Sequence, residues 1–248
     1  MNLEVEGYIL SEVPYGETSK VINVFTKDFG IIGIMCKGAK GMKSKNRVAT
    51  MKLSYAKFNI LYKKNKLSTL ISADIINPLK TIKSDIILVG FLTYLSDLTY
   101  QVLKQSNLGN EIYDIFIEGI KKIENKLDPI VITNIIEIKY LEYLGILFNL
   151  NECALCGSKK NIVTVSADKG GYICQNCLTN EVIVSAKIIK MLRMYYYVNI
   201  SSIKEINVDD KTKNSINMFL NEYYDKYAGL YLNSKSFLNK MLSGEYYG

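Results

Sequence analysis

In this chain of 248 residues the spacing of apolar side chains changes at Asn77-Pro78, and that change constrains the fold more than any other feature. Before it, apolar residues alternate with polar ones; after it, they recur every three or four positions. Residues 3–10 set Val5, Gly7 and Ile9 against Glu4, Glu6 and Tyr8. Residues 20–26 hold the run Val21, Ile22, Val24 and Phe25, and residues 31–36 follow a turn at Asp28-Phe29-Gly30. Pro14-Tyr15-Gly16-Glu17 reads as a turn or loop between the first two runs. Over residues 52–62, Phe58, Ile60 and Tyr62 share one face while Tyr55, Lys57 and Asn59 share the other. Lys63-Lys64-Asn65-Lys66 then turns the chain back into residues 67–76. Five short strands with no helix between them predict a small closed barrel.

The remainder reads as helical. Ser84 or Asp85 caps a helix to Lys104, whose apolar positions (Ile87, Leu88, Phe91, Leu92, Tyr94, Leu95, Leu98, Val102) cover about half its circumference, so it should be deeply buried. A second helix fits residues 110–123. A third takes Asp128 as cap and Pro129 at its first position, carries Ile132, Ile136, Tyr140 and Tyr143 on one stripe, and stops near Gly145. Further helices are expected from Ser185, over 212–227 and over 234–242. The apolar run 86–95 is too short to cross a bilayer, and 130–150 is interrupted by Glu137, Lys139 and Glu142, so no membrane contact is expected. Glu4 and Glu6 stand where a secretory signal would be basic and then apolar, which predicts a cytoplasmic protein.

Four of the five cysteines form two pairs, Cys153-Ala-Leu-Cys156 and Cys174-Gln-Asn-Cys177. Pairs at that separation can place four thiolates around one zinc ion at about 2.3 Å each. Gly157 permits a tight fold after the first pair, and residues 163–166 with 171–173 suit the hairpin of a ribbon. Four sulfur ligands leave no open position, so the metal would be structural. A dithiol redox site or an iron–sulfur cluster is the rival reading, and neither pair sits in a thioredoxin-like setting. Cys36, alone in a strand, reads as a small buried apolar residue. There is no histidine anywhere, which removes imidazole bases, His-containing triads and His metal ligands. The fold class expected is α+β multidomain: an OB-type β-barrel over residues 1–80, then an all-helical domain (81–150 and 181–248) with an inserted four-cysteine zinc ribbon at 151–180.

Charge is distributed unevenly across these parts. Residues 29–73 contain ten Lys or Arg and no Asp or Glu, and the whole excess of the chain, net +7, falls within residues 1–80. A charge of that size on one small domain favours capture of a polyanion such as nucleic acid. A merely solvated basic face is the plainer alternative. Lys37, Lys40, Lys43, Lys45 and Arg47, in a glycine-containing loop without apolar periodicity, are the main candidate phosphate contacts, with Lys20 and Lys57 flanking. Tyr55, on the polar face of its strand, is either a base-stacking residue or an ordinary surface tyrosine.

Gly7-Tyr-Ile-Leu10, Pro14-Tyr-Gly-Glu-Thr-Ser-Lys20, Phe25-Thr with Gly30, Lys37-Gly-Ala-Lys40, Lys43-Ser-Lys45, Ala73-Asp74, and Cys-x-x-Cys-Gly with Gly170-Gly171 ahead of the second Cys-x-x-Cys together resemble the RecO family of recombination mediators. The resemblance runs from the first strand to Leu178 and more weakly through the final helices. It implies binding of single- and double-stranded DNA, annealing of complementary strands, and contacts with RecR and with the C-terminal tail of single-strand-binding protein. It further implies help in loading RecA onto DNA coated by that protein, a place at the nucleoid, and no enzymatic activity. Relatives often carry Arg in the basic loop where this chain has Lys40 and Lys45, which keeps the charge but loses bidentate grip on phosphate. The rival class is a zinc-ribbon nuclease or RNA-modifying enzyme. Asp209-Asp210 is the only adjacent acidic pair it could use, and a solvated loop or helix cap accounts for that pair more simply. A third reading is a zinc-dependent scaffold whose basic face binds an acidic protein.

Overall fold

The computed structural model describes residues 1–106 and 109–243. The chain forms two compact units, Met1–Ile120 with the stretch from Leu232, and Lys121–Tyr231.

In the first unit, β1 (Asn2–Tyr15), β2 (Ser19–Thr26), β3 (Gly30–Cys36), β4 (Tyr55–Leu61) and β5 (Ser68–Asn77) close a barrel in the order β1-β2-β3-β5-β4. Neighbours are antiparallel except β3 and β5, which run parallel at Ile34–Ser68 and Met35–Thr69. Alternation places Val5, Ile9, Ile22, Val24, Ile32, Ile34, Phe58 and Ile60 in one core. Pro14 and Tyr15 are not turn residues: β1 runs through them, paired with Lys20 and Ser19. The turn is confined to the three residues after Tyr15, where Gly16 takes φ +62. β1 pairs with β4 over Asn2–Tyr8 and with β2 over Gly7–Tyr15, so Gly7 and Tyr8 have a partner on each edge, and the β1–β2 register shifts between Ile9 and Ser11. β4 begins at Tyr55, later than the alternation suggests, because Leu53 at φ 65 belongs to the preceding turn.

Tyr8 is also placed differently from its alternation. It lies on the barrel's outer face, yet it is fully buried by the helical layer of the same unit. Its ring meets Phe116 edge-on at 4.9 Å, Phe25 meets Tyr113 at 5.1 Å, and Ser96 Oγ lies 3.3 Å from the Tyr8 hydroxyl. Burial pushes the Tyr8 phenol well above its ordinary range. That layer consists of a single turn, α1 (Lys80–Lys83), then α2 (Ile86–Gln105), α3 (Gly109–Glu124) and the late helix α7 (Asn233–Ser243), which packs on α2. Asp85 caps α2 by accepting from the Ile87 and Leu88 amides. By length and composition α2 could cross a membrane, but half of its apolar window is buried and it reads as a core helix.

The second unit is built on α4 (Pro129–Tyr143), α5 (Ala186–Tyr197) and α6 (Asp210–Tyr227). Asp128, Ser185 and Asp209 cap them, the first two as the sequence suggests and the third as the helix-cap alternative for Asp209-Asp210 has it. α4 is buried almost all round, including Asn134 and Glu137, because α5 and α6 both pack on it. A hairpin, β6 (Ile162–Ser166) with β7 (Gly171–Cys174), interrupts the helices.

Candidate nucleic-acid interface and metal centre

Strand directions decide where the basic segments lie. β1, β3 and β5 run one way and β2 and β4 the other, so the 37–54 connection, leaving β3 and entering β4, sits at one pole of the barrel. That connection is a chain of turns fastened to the barrel. Ala39 and Ala49 enter the core, the Lys40 amide donates to the Thr18 carbonyl (2.8 Å), and Asn46 Oδ1 accepts from the Ala73 amide (3.1 Å). Thr50 Oγ1 returns to the Asn46 carbonyl at 2.7 Å. Small and polar residues hold the backbone down, and the long cations are left outward. Lys37, Lys40, Lys43, Lys45 and Arg47 are all exposed, and none has an ion-pair partner among the described residues.

Two flanking candidates are placed otherwise. Lys20 is not a surface cation: its side chain is only 7% exposed and its ammonium is bound to Glu12 at 2.8 Å. Glu12 also accepts from the Lys52 amide (3.1 Å), so this pair secures the end of the loop, as a cation facing the barrel wall with one carboxylate in reach must. Lys57 is engaged by Glu4 at 2.9 Å, which raises its affinity for a proton. Tyr55 turns its hydroxyl toward Glu6 at 3.5 Å and is only half-exposed. The sequence reading missed Glu12 and Asn46 as anchors. Their signal, a lone carboxylate on an outward strand position and an amide in a lysine-rich loop, is too common to stand out.

In the second unit Cys153, Cys156, Cys174 and Cys177 converge, with all four sulfurs within 4.8 Å of one another. Sulfurs held about 2.3 Å from one zinc ion at tetrahedral corners stand about 3.8 Å apart, and the Cys156 and Cys174 sulfurs are 3.6 Å apart. Two knuckles produce this. The Gly157 amide, at φ +70, donates to the Cys153 carbonyl (2.9 Å), and the Gln175 amide donates to the Asn161 carbonyl (2.9 Å). Gly171 lets the incoming chain cross the hairpin, since a Cβ there would lie 2.6 Å from the Asn149 carbonyl oxygen. Burial pushes the Cys153 thiol up, but backbone groups of Cys174, Cys156 and Leu155 outweigh it and hold the thiol at about 6, whereas the neighbouring thiols push Cys156 up and Cys177 up to about 12, as crowded thiols do where no cation offsets their charge. Lys169, ion-paired to Glu181 at 2.6 Å and donating to Thr179, braces the second knuckle. The donor set therefore suits a closed, four-sulfur metal site. Asp209, by contrast, is occupied as the α6 cap and by Lys187 at 2.6 Å.

Residues 1–79 match the family described as Recombination protein O N terminal, and residues 83–236 match Recombination protein O C terminal. The chain belongs to the RecO family. Within that family it is 30% identical over 246 residues to the DNA repair protein RecO of Bacillus pumilus, covering 98% of this chain and 96% of that one. It is 29% identical to the RecO of Bacillus subtilis strain 168 with the same coverage, and 28% identical to that of Listeria monocytogenes serotype 4a, covering 95% and 93%. As a RecO-family chain it is a DNA repair protein, with the barrel and the cysteine cluster falling inside the two matched segments.

Proposed function

We propose that this chain is a recombination mediator that binds DNA through its polar loop, anneals complementary strands and helps load RecA onto DNA coated by single-strand-binding protein. The observation that carries the reading is the group of five exposed cations at residues 37–47, without ion-pair partners among the described residues, on a loop fixed to one pole of the barrel. Annealing requires no bond to be made or broken in the strands. Two polyanions repel, and a surface that neutralises phosphates and releases their counterions lets complementary bases meet. A backbone already held by Ala39, Ala49 and Asn46 presents those charges without first having to order the loop.

The four cysteines hold one zinc ion in this reading, and its work is to stabilise the ribbon, since a fourth sulfur leaves no place for water or substrate. RecR and the acidic C-terminal tail of single-strand-binding protein are the protein partners, and the cytoplasmic nucleoid is the place of action. The test is annealing of labelled complementary oligonucleotides, naked and coated with single-strand-binding protein with or without its tail. Acceleration on coated strands that depends on the tail supports the proposal. Cleavage of DNA with magnesium or manganese, without accelerated annealing, would overturn it in favour of a nuclease.

A further inference from the structure

Each Cys-x-x-Cys knuckle of the ribbon supplies one enclosed cysteine and one outward cysteine. Cys153 is 1% exposed and Cys174 2%, whereas Cys156 is exposed and Cys177 half-buried. The difference follows from where each stands in its knuckle. The Cys153 amide donates to the Ser158 carbonyl (2.8 Å) and the next amide, of Ala154, donates to the Tyr172 carbonyl (2.7 Å), which draws this cysteine inward. Cys174 is the last residue of β7, whose four residues are all buried. Cys156 lies at the tip of the first knuckle between Leu155, 56% exposed, and Gly157, which at φ +70 has no side chain to cover a neighbouring sulfur. The Cys174 sulfur stands 3.6 Å from that of Cys156. Cysteines that hold a metal do so as thiolates, and the thiolate is also the form that reacts with peroxides.

We propose that Cys156 is a modification site for hydrogen peroxide and that Cys174 resolves it, so that oxidation joins the two knuckles by a disulfide and the metal is lost. The inference rests on the reading of the four cysteines as a zinc site and adds a reactivity to it. In the first step the Cys156 thiolate attacks one peroxide oxygen. An S–O bond forms, the O–O bond breaks, and hydroxide leaves and takes a proton from solvent, which makes Cys156 a sulfenic acid. In the second step the Cys174 thiolate attacks the Cys156 sulfur. An S–S bond forms, the S–O bond breaks, and a second hydroxide leaves and is protonated by solvent. The two sulfurs together give up two electrons, and the peroxide is reduced to two waters. The approach needed is short, from 3.6 Å to a bond of about 2.05 Å. Cys153 and Cys177 then remain, too few for a closed four-sulfur site. The chain between the second knuckle and α5 has other fastenings. Thr164 Oγ1 donates to the Val182 carbonyl (2.7 Å), the Val184 amide donates to the Val163 carbonyl (3.1 Å), and Lys169 pairs with Glu181 at 2.6 Å. Oxidation therefore changes the knuckles and spares the segment leading into α5.

The test uses the full-length, zinc-loaded wild-type protein and hydrogen peroxide. Released metal is read with a chromogenic chelator, and the cysteines are mapped by alkylation and mass spectrometry. One zinc ion should be released for each peroxide consumed, with Cys156 linked to Cys174 and with Cys153 and Cys177 open to alkylation once the metal has gone. Dimedone, which traps sulfenic acids, should mark Cys156 before any other cysteine when peroxide is limiting. Cys36, fully buried in the barrel, should stay unmodified in the folded protein and serves as an internal control. Dithiothreitol followed by zinc should restore the site. Retention of zinc under peroxide, first labelling at a cysteine other than Cys156, or a disulfide of any other pairing overturns the inference and leaves the zinc reading intact. Failure of the protein to take up one zinc ion in the first place overturns both.

Discussion

Replacing Lys37, Lys40, Lys43, Lys45 and Arg47 together by Ala isolates the electrostatic part of DNA binding. The five side chains point outward and anchor nothing, whereas Ala39, Ala49, Asn46 and the Glu12–Lys20 pair keep the loop in place. The variant should therefore fold as the wild type does. If each of the five neutralises one phosphate of a single strand, the loop contributes about −3.5 to the slope of log affinity against log salt, at about −0.7 per contact. Between 50 and 200 mM salt that contribution alone weakens binding by roughly 100-fold, since the fourfold rise is about 0.6 in log units. Fluorescence anisotropy of labelled oligo(dT) across a salt series gives both slopes, and their difference is the loop's share. Single replacements should each remove about 0.7, and Lys20→Met should remove nothing because its ammonium is already bound to Glu12. An equal slope in wild type and fivefold variant, or a loss at Lys20 as large as at a loop lysine, would refute the assignment.

Glu12→Ala should destabilise the protein by about 2–4 kcal/mol in urea denaturation, because it strands the buried Lys20 charge; Glu12→Ala with Lys20→Met should recover part of that, and equal losses in both would remove the ion pair from the explanation. Phe116→Ala should cost about 3–5 kcal/mol through loss of its ring contacts with Tyr8 and Phe25, measured the same way. Cys153→Ser should abolish the binding of one zinc ion per chain, read by metal analysis, while leaving the salt slope for oligo(dT) unchanged. Lys187, with the Thr212 amide and hydroxyl, holds the Asp209 carboxyl well below its usual range, so its contribution is present above the unfolded value of about 3.9 and is lost as pH falls below that. The gap in thermal midpoint between wild type and Asp209→Ala should accordingly shrink from about pH 5 to about pH 2; a constant gap would contradict the assignment.

Much of the fold is legible residue by residue. Asp85, Asp128 with Pro129, and Ser185 each mark a helix start because capping is a local matter, decided by a side chain reaching an amide two or three positions on. The two Cys-x-x-Cys pairs announce a shared site because their spacing leaves the chain few other uses for four thiols. Tyr8 and Lys20 resist this reading. Alternation puts Tyr8 outside the barrel, and only the arrival of Ser96 and Phe116, 88 and 108 residues later in sequence, turns that outer position into an interior. Lys20, in β2, looks in sequence like the cations of the loop until Glu12, across the hairpin, claims it.

By itself the sequence determined the barrel, the helices, the sulfur cluster and the confinement of excess charge to the first third, since each follows from local spacing or from counting. Tertiary structure alone decided which cations are free. Strand direction sent one basic segment to each pole, and pairing with Glu12 took Lys20 out of solvent, while Lys57 stays 41% exposed in a surface pair with Glu4. The physical reason is that a charge is available or spent according to what lies within a few ångströms of it, and that distance is set by contacts between residues far apart in the chain.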